Sequence, residues 1–256
     1  MNWSAEQYSK FETERNRPVR DLLAAVSPTE VRIAADIGCG PGNSTELLHE
    51  WCPEASVLGI DNSPAMIDAA RVRLPNVRFD VADITGWEEP GPFDLILANA
   101  ALQWVPDHAL VIPTLLDKLA SKGRLAIQIP DNWEEPAHQL MREVAVQAPW
   151  AQKLLGATGA HDNRHAAGWY YEFLHTRART IDIWRTTYFH ELPQGPIGVV
   201  EWFKGTALRP FLDRLDEEER SVFLARYQQL IETAYPPFSN GVTLLPFPRL
   251  LMVVSV

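Results

Sequence analysis

The chain has 256 residues, 46% of them hydrophobic, enough for one large domain with a substantial core. Lys and Arg number 23 against 33 Asp and Glu, a formal net charge of −10 with no basic run, so the footprint of a nucleic-acid binder is absent. No apolar stretch reaches the roughly 18 residues of a membrane span, "MNWSAEQYSKFETERNRPVR" is unlike a signal peptide, and the two cysteines read as free thiols, so a cytoplasmic location is expected.

Residues 4–26 read as an amphipathic helical arm, with Tyr8, Phe11, Leu22 and Leu23 among charges and a break near Pro18. Apolar runs at 31–37, 56–60, 77–81, 94–99 and 123–129 then alternate with helical segments at 43–51, 64–73 and 107–120. That alternation is the pattern of a parallel sheet with crossover helices. Beyond Pro130 the rhythm changes. "EEPAHQLMREVA" and "WYYEFLHTR" read as helices, "TIDIWRTTYFH" as a sixth strand and "FPRLLMVVSV" as a seventh. Between those strands lie two helical patterns, the second with an N-cap signal at Asp216 followed by three glutamates. The expected fold is α/β: a Rossmann-like, seven-stranded, mostly parallel sheet flanked by helices, with a helical cap inserted before the last strand. As one domain it divides into an arm (1–30), a core (31–130), cap segments (131–178 and 191–245) and final strands (179–190 and 246–256). The cap is expected over the carboxyl ends of the strands, where open α/β sheets bind ligands.

Between the first strand and its helix stands "AADIGCGPGNST". Gly38, Gly40 and Gly42 are spaced G-x-G-x-G, so the third glycine comes one residue early for a dinucleotide fingerprint and position 43 is Asn. Asp36, before the glycines, would repel a pyrophosphate but can hold an ammonium group. Asp61, about twenty residues on at the tip of the second strand, can accept both hydroxyls of a ribose, and Asp83 after the third can meet an adenine edge. An adenosine carrying an amino acid instead of phosphates is S-adenosylmethionine.

The acceptor is read from aromatics and cations: Trp104, Trp133, Arg185, Tyr188, His190 and Arg209. Arginines among aromatics in an acidic protein point to a small anion, because a desolvated carboxylate needs a paired, preferably bidentate, cation. The alternative is that Arg185 and Arg209 are ordinary surface residues. Asn99 matches a position of the amino-methylating nucleic-acid enzymes, but the prolines of their motif are missing. His161 and His165 have i, i+4 spacing with Asp162 between them, yet no third ligand is near, and no metal is expected.

"DIGCGPGNST", "GIDNSPAMI", "VADI", "FDLILANAALQWVPD" and "GRLAIQIP" stand in the order found in Rossmann-like methyltransferases, which the chain resembles. Further along, "IPDNWEEPAHQLMREVA", "DIWRTTY", "LRPFL" and "FPRLLMVV" are similar to one family among them, the trans-aconitate 2-methyltransferases. The stretch 147–168 carries no part of that resemblance. It implies monomethyl esterification of trans-aconitate by S-adenosylmethionine, leaving S-adenosylhomocysteine; another small carboxylic acid as acceptor, or a non-catalytic S-adenosylmethionine-binding protein, are the alternatives. On that reading Asp36 and the glycine loop with Gly38, Gly40 and Asn43 hold the methionine part, Asp61 the ribose, and Met66, Asp83 and Ile84 the adenine, with Asn62 also among the cofactor-binding residues. Asn99 and Ala100 border the methionine part, and Tyr8 and Trp104 lie beside the sulfonium. Arg15 pairs with the cofactor carboxylate or, alternatively, with Glu12 or Glu14. No general base is expected; Trp104, Trp133, Arg185, Tyr188, His190 and Arg209 align and clamp the acceptor. Neither nucleic acid nor membrane is an expected partner, and a monomer is the default.

Overall fold

Near-continuous apolar runs along the central strands bury both faces of one sheet. The computed structural model describes residues 12–27, 30–157 and 163–256, with 12–15 given by backbone alone. Tyr8, Phe11, His161 and Asp162 lie outside the described residues, as does the Arg15 side chain. The strands are β1 (Ile33–Ile37), β2 (Ser56–Asp61), β3 (Arg78–Val81), β4 (Phe93–Asn99), β5 (Leu119–Pro130), β6 (Thr180–Leu192) and β7 (Thr243–Ser255). They form a seven-stranded sheet of order β3-β2-β1-β4-β5-β7-β6. β1–β2, β1–β4, β2–β3 and β4–β5 pair in parallel, and β5–β7 antiparallel. The order reverses between β1 and β4, the switch point at which such sheets open a crevice beyond the carboxyl ends of their strands.

Successive residues of a strand point to opposite faces. Ala35 and Ile37, Ile96 and Ala98, Leu125 and Ile127, and Met252 and Val254 enter one core, covered by Val111, Ile112 and Leu115 of α4 (His108–Leu116) and Tyr170 and Leu174 of α6 (Ala167–Leu174). Ala34, Leu95, Leu97, Ala126, Leu251 and Val253 enter the other, under α1 (Glu12–Ala24) and α2 (Asn43–Trp51). The remaining crossover helix of this region is α3 (Pro64–Arg73), which opens on a proline.

The arm expected to break near Pro18 is one helix from Glu12 to Ala24. An interior proline costs about 3 kcal/mol, but Val19, Leu22 and Leu23 are fully buried beneath it, and each such burial stabilises by about 1.5–3 kcal/mol. Packing outweighs the proline.

The described residues group into two compact units, one of Met1–Pro130, Asn163–Thr186 and Arg249–Val256, the other of Asp131–Asp162 and Thr187–Pro248. The second is built on α5 (Pro136–Ala145), α7 (Pro196–Lys204), the short α8 (Arg209–Leu212) and α9 (Glu217–Ala234). The Tyr227 hydroxyl of α9 donates to the Ala137 carbonyl at 3.0 Å, and the Ala137 N–H donates to Tyr235 Oη at 3.0 Å, tying α9 to the start of α5. The capping expected at Asp216 is a full capping box with Glu219.

Candidate active site

Three glycines turn the chain from β1 into α2 with φ of 71° at Gly38, 55° at Gly40 and 91° at Gly42, a region that side chains disfavour. They differ in what surrounds them. A Cβ on Gly38 would stand 2.5 Å from Ala101 Cβ, and one on Gly42 would stand 3.2 Å from Ala70 Cβ on α3. A Cβ on Gly40 would meet nothing within 4 Å among the described residues. Gly38 and Gly42 are glycines of packing, while Gly40 faces space that the described residues leave open.

The loop is held from β2. Gly38 and Cys39 N–H groups donate to the Ile60 carbonyl at 2.7 and 2.9 Å. The Gly40 N–H donates to Asp61 Oδ2 at 3.0 Å, and the Ser63 N–H to Asp61 Oδ1 at 2.9 Å. Burial raises the Asp61 carboxyl while these two donors act the other way. Each carboxylate oxygen retains acceptor capacity beyond the one N–H bond. Asp61 thus joins the glycine loop to the start of α3, an organising role that its reading as a ribose acceptor did not include.

Next to it, Asn62 Nδ2 donates to Asp83 Oδ2 at 3.4 Å, and Thr85 donates its hydroxyl (2.6 Å) and its N–H (2.8 Å) to Asp83 Oδ1. The Thr85 donors hold the Asp83 carboxyl below its ordinary value, so it is an anion near neutrality. Ile84 Cδ1 comes within 3.6 Å of a Cβ at Gly38. Gly38, Gly40, Asp61, Asn62, Asp83 and Ile84 are therefore brought together at the carboxyl ends of β1, β2 and β3. Met66 is buried on α3. Asn99 ends β4, its Oδ1 buried with no partner among the described residues. Ala100 follows with φ of 50° and donates its N–H to the Gln128 carbonyl at 2.9 Å.

Asp36 stands near the end of β1, just before the glycines. It shares the face of Ala34, two residues before it on β1, and so points under α2, where it is fully buried. The Ser44 and Thr45 hydroxyls both donate to its Oδ2 at 2.7 Å. Burial raises its carboxyl to about 6, opposed by the two hydroxyls. Asp36 thus lies beneath the loop and fixes the start of α2 through Oδ2, while its Oδ1 is buried with no partner among the described residues. Asn43, expected against the cofactor, donates from Nδ2 to Asn16 Oδ1 at 3.0 Å and ties α1 to the loop. The reasoning from sequence missed Ser44, Thr45, Asn16 and Ala101. The adjacent hydroxyls at a helix start were a usable signal; the other two are made close only by the fold.

A family model described as "Methyltransferase domain" matches residues 34–123, the stretch from the first strand through these loops into β5. The trans-aconitate 2-methyltransferase of Methylobacterium nodulans is 50% identical over 252 residues, which are 98% of this chain and 97% of that one.

The chain belongs to the trans-aconitate 2-methyltransferase family.

Among solved structures, the YcgJ protein of Bacillus subtilis superposes with a TM-score of 0.60 at 13% identity, over 94% of this chain and 98% of its own. Phosphoethanolamine N-methyltransferase 2 of Haemonchus contortus, solved with S-adenosyl-L-methionine, gives 0.56 at 15% identity over 93% of this chain and 52% of that one. These likenesses concern the fold. The family identity reaches further, because it runs through both units.

As a member of the trans-aconitate 2-methyltransferase family, the chain is an S-adenosylmethionine-dependent methyltransferase. The acceptor candidates divide between the units. In the first, Trp104 is 40% exposed on a 3-10 turn, and Arg185 is exposed on β6. In the second, Arg209 is half-buried at the start of α8, and Trp133 carries the Arg142 guanidinium 4.3 Å above its ring. Tyr188 is buried, and His190 is buried with its ring stacked on Trp202 at 4.6 Å. Both cysteines are buried and free, and burial pushes the Cys39 thiol far up, which keeps it protonated.

Proposed function

We propose that this chain esterifies one carboxylate of trans-aconitate with the methyl group of S-adenosylmethionine, giving the monomethyl ester and S-adenosylhomocysteine. The observation that carries the reading is identity of 50% over 98% of the chain to a relative named for that activity. Among the described residues, the fit of the cofactor rests on the open space above Gly40 and on the buried Asn99 Oδ1, which has no partner there. Gly38 and Gly40 offer backbone to the methionine part, Asn99 and Ala100 border it, Asp61 and Asn62 meet the ribose, and Asp83 and Ile84 meet the adenine, with Met66 beside it. Asp36 acts from below, its charge favouring an ammonium over a pyrophosphate through the field rather than by contact.

The bound cofactor supplies a methyl group on a sulfonium. A carboxylate acceptor is ionised near neutrality, so no residue is assigned as a general base. The chain's residues align: groups held at near-attack distance gain about 7–11 kcal/mol over encounter in solution. Opposite charges are neutralised as the ester forms, so aromatic side chains such as Trp104 that exclude water favour the step. The carboxylates that stay charged need cations, and Arg185 and Arg209 are assigned to them, with Trp133, Tyr188 and His190 in support.

Arg209→Ala and Arg185→Ala are each expected to raise the KM for trans-aconitate about 10- to 100-fold, the value of one charged hydrogen bond, with the cofactor KM within about twofold. Steady-state kinetics with each substrate varied in turn checks this. Equal effects on both KM values remove that arginine from the role.

A further inference from the structure

The turn that follows β4 is over-determined. Ala100 holds φ of 50° although it carries a Cβ, a conformation that costs about 1–2 kcal/mol and persists only where surroundings impose it. Three side chains hold the turn by hydrogen bonds to the carbonyls of Ala100, Leu102 and Gln103. Gln103 Nε2 donates to the Ala100 carbonyl at 2.6 Å, and Asn163 Nδ2 donates to the Gln103 carbonyl at 3.3 Å. Between them, His108 Nε2 lies 2.7 Å from the Leu102 carbonyl. Leu102 and His108 are fully buried, and the 3-10 turn Leu102–Trp104 ends on the exposed Trp104.

The chemistry of the partners fixes the state of His108. A carbonyl only accepts, so Nε2 carries the proton. Nδ1 is then an acceptor, and the Tyr170 hydroxyl 2.7 Å away donates to it. Tyr170 comes from α6 and is itself fully buried. Its ring meets Trp169 edge-on at 5.2 Å, and Trp169 stacks on His165 at 3.7 Å. Burial also lowers the affinity of His108 for a second proton, in keeping with a neutral ring.

We propose that His108, locked as its Nε2–H tautomer by the Tyr170 hydroxyl, is a positioning residue that fixes the turn 100–104 and thereby the Trp104 side chain. The inference rests on the reading that Trp104 borders the reacting groups. His108 touches neither cofactor nor acceptor; it acts through the Leu102 carbonyl.

The test uses the full chain labelled with 5-fluorotryptophan, the Trp104 fluorine resonance being assigned by its loss in Trp104→Phe. Tyr170→Phe, which removes one oxygen and keeps the ring, and His108→Leu are each expected to shift or broaden that resonance. Each should also lower kcat about tenfold, with both KM values within about threefold. His108→Gln, whose amide can donate to the Leu102 carbonyl, is expected to recover most of kcat and the parent resonance. An unchanged Trp104 resonance and unchanged kcat in Tyr170→Phe overturn the proposal, and that variant decides the matter even if His108→Leu fails to fold. Trp104→Ala separates the two readings. If it leaves the kinetics intact, the placement of Trp104 beside the reacting groups fails by itself, and the resonance still decides whether His108 fixes the turn.

Discussion

Gly38→Ala is expected to destabilise the protein by about 2–5 kcal/mol, and Gly40→Ala by about 1 kcal/mol with a far larger loss of cofactor affinity than of stability. Both positions have positive φ, which costs about 1–2 kcal/mol for a residue with a Cβ. At Gly38 the added methyl would stand 2.5 Å from Ala101 Cβ, well inside contact distance, and overpacking adds about 1–3 kcal/mol. Ala101 cannot yield easily, since it is buried at the head of the turn that carries Leu102. At Gly40 none of the described residues lies within 4 Å, so the methyl finds room among them. That room is the space assigned to the methionine part of the cofactor. Thermal unfolding of both variants without cofactor, followed by cofactor titration, checks the contrast. Equal destabilisation with equal affinity loss would mean that the loop acts only as a structural turn.

Asp36→Asn is expected to be more stable than the parent above pH 6 and to lose that advantage below pH 4. The ordinary carboxyl value is 3.8 and burial raises that of Asp36 to about 6, so the folded state binds the proton more tightly than the unfolded chain. The stabilising contribution of the protonated form is therefore complete below about pH 4 and is lost as pH rises through 6. Two pH units at 1.36 kcal/mol each leave a buried charge costing about 3 kcal/mol at pH 8. Asparagine keeps an oxygen for the Ser44 and Thr45 hydroxyls and carries no charge, and the second carboxylate oxygen has no partner among the described residues to lose. The difference in Tm between variant and parent should grow by several degrees between pH 4 and pH 8. The same variant should bind S-adenosylmethionine more weakly at pH 8, because the negative field beneath the loop is gone. A Tm difference independent of pH would show that this carboxyl does not titrate with folding.

The core was readable because period and punctuation agree there. Asn43–Trp51 and Pro64–Arg73 follow glycine or serine stops and run over the residues expected of them. Where polar residues break the period, the reading failed. The helix expected over 107–120 stops at Leu116, and β5 starts at Leu119, before the polar "SKG". The sheet shifts register there: Phe93 pairs with Leu119 but Leu95 with Arg124. A bulge formed by long-range pairing leaves no local signal.

The site was visible in its residue types and less so in its geometry. That Asp61, Asn62, Asp83 and Ile84 sit together follows from the parallel order of the strands. The direction of Asp36 does not follow from its charge but from the alternation along β1, which turns it under α2. His108 and Tyr170 are 62 residues apart and meet only in the fold. Arg185 and Arg209 draw their assignment from chemistry and family resemblance together, which is why the kinetic variants fall on them.

The most direct test of the account is methyl transfer from labelled S-adenosylmethionine to trans-aconitate, cis-aconitate, citrate and isocitrate, with mass analysis of the products. A monomethyl ester formed preferentially from trans-aconitate is the expected product. Cofactor binding with no methylation of trans-aconitate would contradict it.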